Sequence, residues 1–165
     1  MQAVIVIGVV LTQARGMEAE EIVIAEKGRT EARILIAPQA SSMERTAAVD
    51  LATYIHKMTG ARPAVIQDEL GLREALARKD IPLFIIGALA LSENPSLYDT
   101  LERVKKRNPI LRADAIALKT EGNRVYLAGG NEDSHYFAVA ELLRRWGCRF
   151  FMPTGFGECV PEYDR

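Results

Sequence analysis

Two histidines, two cysteines and 22 acidic residues are the groups of this 165-residue chain from which an active site would have to be drawn. Metal binding needs ligands clustered at fixed spacing. His56 and His135 form no HExxH or similar pair, and His56 lies beside the apolar face of a helical pattern, as a rim residue does. His135 follows GGNEDS at an expected strand-to-helix junction, where backbone N–H groups can hold an anion. Gly129, Gly130, Asn131 and His135 therefore define one ligand-loop reading, for a phosphate or dinucleotide. Neither GxGxxG nor a Walker lysine accompanies it. A serine nucleophile would want a strained turn such as GxSxG, and none occurs. A cysteine nucleophile needs a base. His135 precedes Cys148 along one helical pattern, a rise of roughly 20 Å, out of hydrogen-bond reach. Glycoside hydrolysis needs two carboxylates across a cleft. Glu158 is the one acid set among apolar and glycine residues, and alone it is no pair. These residues spell no complete active site, and they call for no metal or cofactor.

The elements that must position these groups follow from periodicity. EIVIAEKG and ARILIAP read as strands, with Lys27-Gly28 as the turn of a hairpin between them. Ser41 and Glu44 have capping-box spacing. Ala47, Leu51, Tyr54, Ile55 and Met58 then mark one helix face, and Gly60 the stop. PAVIQ is a short strand, and Asp68 caps a short helix over Leu70 to Arg78. IPLFIIG is an apolar run of central-strand type. Asn94-Pro95-Ser96 opens a helix whose buried side is Leu97, Leu101 and Val104, and Asn108-Pro109 ends it. A second hairpin joins Asp114–Lys119 to Arg124–Ala128 through Glu121-Gly122-Asn123. The last helix carries Tyr136, Val139, Ala140, Leu143 and Trp146 on one face and stops at Gly147, before a closing strand CRFFMP. Strands and helices alternate, but two hairpins interrupt the alternation. The fold class expected is α/β, as an α+β sandwich with a mixed β-sheet and helices packed mainly on one face.

Hydrophobic residues make up 48% and charged residues 26% of the chain, the composition of a globular protein. A net charge of −1 leaves no basic field to hold nucleic acid, and RVKKR at Arg103–Arg107 reads as a helix end. Ala3 to Leu11 is an apolar run too short to span a bilayer. With Thr12-Gln13-Ala14 behind it, residues 1–16 read as a signal peptide lacking the usual basic start, and residues 17–165 as one domain. The protein is then secreted or periplasmic; the alternative is a cytoplasmic protein with a buried first strand, or a true start at Met17. Two cysteines define no disulfide framework, so pairing of Cys148 with Cys159 is open, and a buried thiol is the simpler reading of Cys148.

The order of motifs carries a resemblance. ILIAPQASSMERTAAVDLATYIHKMTGARPAVI, IPLFIIG, NRVYLAGG, ELLRRWGCRFFMP and GECVP follow one another between Glu21 and Glu162. This order resembles the non-catalytic N-terminal domain of bacterial glycoside hydrolases, in particular family 67 α-glucuronidases and α-glucuronidase-like proteins. An analogous domain precedes the barrel in family 20 β-N-acetylhexosaminidases. The chain departs from the pattern at Asp133-Ser134-His135, where the family often has glycine, and at Cys159, where it commonly has an aliphatic residue. The resemblance implies an accessory domain whose partner is a catalytic (β/α)8 barrel, a unit of roughly 250 residues. The carboxylates of catalysis would lie in that barrel, which this chain does not contain. Arg149, Phe151, Phe156, Glu158 and Val160 are the residues expected to face it, with an exposed apolar patch at Phe151, Phe156 and Val160. A carbohydrate-binding module, with Trp146 or Phe156 stacking on a sugar, is the alternative; a nucleotide-binding domain using the Gly129 loop is a third.

Overall fold

The computed structural model describes residues 4–7, 22–104, 114–152 and 155–163. Its centre is a five-stranded sheet in which continuous apolar runs are buried on both faces. The strands are β3 (Arg33–Leu35), β4 (Ala64–Ile66), β5 (Leu83–Ile86), β6 (Ile116–Glu121) and β7 (Arg124–Gly129), in the spatial order β4-β3-β5-β7-β6. All neighbours run parallel except β6 and β7, so the sheet is mixed, as expected. The alternation of side chains along a strand divides the core in two. Ile34, Phe84, Ile86, Val125 and Leu127 point to one face, and Leu35, Leu83, Ile85, Tyr126 and Ala128 to the other. Both sets are buried, which is why these strands read as unbroken apolar runs.

The two longest helices, α1 (Ser42–Thr59) and α5 (Glu132–Arg145), cover the first face. Three shorter helices, α2 (Glu69–Ala77), α3 (Ala88–Glu93) and α4 (Ser96–Val104), cover the second. The architecture is an α/β fold with helices packed on the sheet. Helices mainly on one face describes the long pair; α3 had no sequence expectation, and with α2 and α4 it closes the other side. Helix α1 begins at the capping box foreseen for it. Ser41 Oγ accepts from the Glu44 N–H, and Glu44 Oε2 accepts from the Ser41 N–H at 2.7 Å. Gly60 ends it in the left-handed region, at φ 77°.

Several expectations are corrected. The strand before Lys27, β2 (Ile22–Glu26), does not form a hairpin with β3. It pairs antiparallel with β1 (Val4–Ile7), a strand inside the expected leader. The Lys27-Gly28 turn exists, with φ 51° and 70° and a Glu26–Arg29 bridge, but the chain leaves it instead of returning along β2. The reason is that Ile34 and Leu35 point to opposite sides and both need cover, which only an interior position between β4 and β5 provides. Val104 is exposed, not buried; Leu97 and Leu101 alone face the core from α4. Asn108-Pro109 lies outside the described residues.

The closing strand is also shorter than expected. β8 is only Arg149–Phe150, and it pairs with β9 (Glu158–Cys159) instead of joining the main sheet. The segment after β9 folds back on the domain. The Tyr163 N–H donates to the Met58 carbonyl at 2.9 Å, and its hydroxyl to the Trp146 carbonyl at 3.1 Å.

Candidate functional site

The β8–β9 ribbon is held to α1 by a small polar cluster. Tyr54 and Lys57 stand three apart on α1 and so project to the same side. The Tyr54 hydroxyl donates to Glu158 Oε1 at 2.8 Å, and Lys57 Nζ to Oε2 at 2.5 Å. Phe150, opposite Glu158 in the ribbon, meets the Tyr54 ring edge to face at 5.2 Å, and the Lys57 ammonium lies 4.8 Å from the same ring centre. Lys57, then Tyr54, holds the Glu158 carboxyl below the usual carboxylate range. Burial, then the Glu158 hydrogen bond, raises the Tyr54 phenol. A neighbouring pair repeats the pattern: Tyr136 donates to Asp50 Oδ2 at 2.9 Å, and burial with that bond pushes its phenol up to about 12. Glu158 is therefore a doubly bonded anion and Tyr54 a fixed donor. Neither is poised to move a proton near neutral pH. The cluster anchors the ribbon.

What the anchor presents is aromatic. Phe150 is 48% exposed, Phe151 76%, Met152 53% and Phe156 94%. A bond from the Phe151 N–H to the Gly157 carbonyl, at 2.8 Å, returns the chain tightly toward β9. Gly157 is required there, because an added Cβ would overlap Met152 backbone atoms. Of the residues expected to form an apolar patch, Phe151 and Phe156 are exposed. Val160 is half-buried against the first core and drops out, because the tail turns inward after β9. Arg149 is exposed, and its guanidinium donates to the Arg144 and Cys148 carbonyls at 2.7 and 2.8 Å, capping the end of α5. Sequence reasoning missed Tyr54 and Lys57 as partners of Glu158; a separation of about a hundred residues leaves no local signal.

Both cysteines are free thiols. Cys159 pairs with Arg149, so Cys148 points to the other side of the ribbon. Cys148 is buried in the first core, which raises its thiol, while Cys159 is exposed. Trp146 is buried against Phe84, edge to face at 5.9 Å, and its indole N–H finds no acceptor among the described residues. It offers no face to a sugar.

The Gly129 loop is built differently from an anion cradle. Asn131 Oδ1 caps α5 by accepting from the Ser134 N–H at 2.9 Å. The Gly129 N–H donates to His135 Nδ1 at 2.9 Å, and the Gly130 N–H to the Ala115 carbonyl. Asp114 adds a carboxylate, bonded by Asn131 and Ser134. Burial lowers the pKa of His135, against the raising effect of Glu44 and Glu132. The crevice between the carboxyl ends of β3 and β5, where the chain's path across the sheet reverses, is the usual ligand position of such topologies. Here Glu44 fills it. Besides closing the α1 cap, its Oε1 accepts from the Ala88 N–H at 2.7 Å, at the start of α3. Gly87, at φ 68°, makes room; an added Cβ would overlap the Glu44 carboxylate. The chain's own carboxylate thus takes the place an anionic ligand would need.

His56 is exposed on α1, as a rim residue, and no group of three or more metal-ligating side chains occurs among the described residues. Among them, too, no helix is long and apolar enough to cross a membrane. Fold and surface define an α/β domain carrying an anchored aromatic ribbon. No family model and no curated protein matches the chain.

Proposed function

We propose that this chain is a non-catalytic accessory domain of a carbohydrate-active, α-glucuronidase-like enzyme. Its β8–β9 ribbon packs against a catalytic (β/α)8 barrel, and export to the periplasm or cell exterior accompanies that role. The observation that carries the reading is the ribbon: Phe150, Phe151, Met152 and Phe156 are exposed beside a ribbon tied to α1 through Tyr54, Lys57 and Glu158. Large apolar side chains exposed together in one segment mark a contact surface more often than a solvated one. The order of motifs supports the choice of partner, and the engagement of Glu158, Asp50 and Glu44 in structural bonds leaves them unsuited to a catalytic carboxylate pair. The test is incubation of the purified chain with aryl glycosides and glucuronosyl-xylan fragments. No turnover is expected, and hydrolysis that co-purifies with the protein would end the reading.

Carbohydrate binding by the same ribbon is the second reading, favoured by the near-complete exposure of the Phe156 ring. Saturable amide shifts around Phe156 on titration with a panel of neutral and acidic oligosaccharides would select it over the packing role.

A further inference from the structure

The amino-terminal end of the sheet carries a feature of another kind. The turn after β2 crosses the amino-terminal ends of β3 and β5, and with Gly60–Arg62 and Asp80–Pro82 it walls an open cleft of about 1060 Å³. A second recess of about 390 Å³ shares Thr30, Glu31, Arg62 and Ile81 with it and adds Arg33 and Arg78. Ile24, Ala61 and Ile81, all buried, make an apolar floor. The rim is charged.

Five cations line the two recesses, Lys27, Arg29, Arg33, Arg62 and Arg78, against three carboxylates, Glu26, Glu31 and Asp80. The local balance, 5 − 3, is +2 in a chain whose net charge is −1. The carboxylates are already engaged. Arg78 grips Asp80 through two bonds of 2.6 and 2.7 Å and lies 3.7 Å from Glu31, and Lys27 lies 3.5 Å from Glu26. Arg29, Arg33 and Arg62 form no ion pair among the described residues; Arg62 has only a 3.5 Å contact with Thr53 Oγ1. The carboxyl end of α1 points this way and contributes about half a negative charge. Three unpaired guanidiniums outweigh it. A planar guanidinium matches the oxygens of a carboxylate or phosphate two at a time.

We propose that this cleft binds a small molecule bearing a carboxylate or phosphate group, its oxyanion held by Arg33 and Arg62 and its ring or hydrocarbon body resting on the Ile24–Ile81 floor. The site is independent of the accessory-domain reading, because it uses none of the residues of the β8–β9 ribbon or of its anchor.

Calorimetric titration at low salt with phenyl phosphate, benzoate and benzyl alcohol tests it, with amide shifts followed in parallel. Saturable binding of at least one anion is expected, with none of the neutral alcohol and with shifts centred on residues 26–33 and 60–62. The tighter anion assigns the head group. Arg33→Gln and Arg62→Gln should each weaken binding roughly tenfold or more, as loss of a charge-assisted bond does. Arg144→Gln, on α5, should leave it unchanged. Arg62 is exposed, so its loss cannot be mistaken for unfolding. Absence of saturable anion binding, equal binding of benzyl alcohol, or full affinity in both cleft variants would overturn the proposal.

Discussion

At the scale of single residues, His135 and Glu44 show how polar groups are spent inside this domain. Glu44 stitches the starts of α1 and α3 together, and His135 accepts from Gly129, so each is committed to holding neighbouring backbone. The consequence for His135 is a pH effect. Its Nδ1 must be unprotonated to accept, and burial depresses its pKa in the folded state, with Glu44 and Glu132 opposing. The unfolded chain then binds the proton more readily. The contribution of this bond to stability is fully present above the ordinary histidine value of about 6.5 and is lost as pH falls from there through the lower folded-state value. Urea midpoints should therefore drop between neutral pH and pH 5, and His135→Gln, which keeps an acceptor but cannot titrate, should flatten part of that drop. An equal slope in the variant would refute the assignment.

At the scale of elements, the β8–β9 ribbon sets the chemistry of the two thiols. Strand register sends Cys148 into the core and Cys159 to solvent, on opposite sides of a two-residue ladder. Disulfide formation would need both sulfurs on one side within a narrow distance range. One thiol per chain should react rapidly with a water-soluble disulfide reagent in the native state. That reaction should vanish in Cys159→Ser, and the second thiol should appear only on unfolding. Quantitative loss of both thiols under mild oxidation without dimer formation would show the ribbon register to be wrong.

At the scale of the whole molecule, the apolar ribbon and the cationic cleft use different residues of one α/β frame, and the exposed aromatic side chains of the ribbon lie outside its core. Phe151 and Phe156 contribute almost nothing to burial. Replacing both by serine should shift the unfolding free energy by no more than about 0.5 kcal/mol, the usual range for surface changes. The same variant should bind much less of a hydrophobic dye and self-associate less at high concentration. Unchanged dye binding would place the main exposed apolar surface elsewhere.

Local signals determined much of this protein from sequence alone. Capping-box spacing placed α1, a run of β-branched and aromatic residues placed β5 in the sheet centre, and Gly60 and Gly147 marked helix ends, because caps, turns and periodicity act over a few residues. The exposure of Phe151 and Phe156 was expected only through the resemblance to a domain that faces a barrel, not from any local signal. Pairings between distant residues were not legible. Whether β2 joined β3 or β1, which acid Tyr54 and Lys57 would bind, and that Arg33 and Arg62 would line one recess were decided only when the sheet order brought separate segments together. The physical reason is that a turn residue fixes direction for one step, whereas burial of both faces of β3 is a property of the assembled sheet. That burial outweighed the local hairpin signal at Lys27-Gly28.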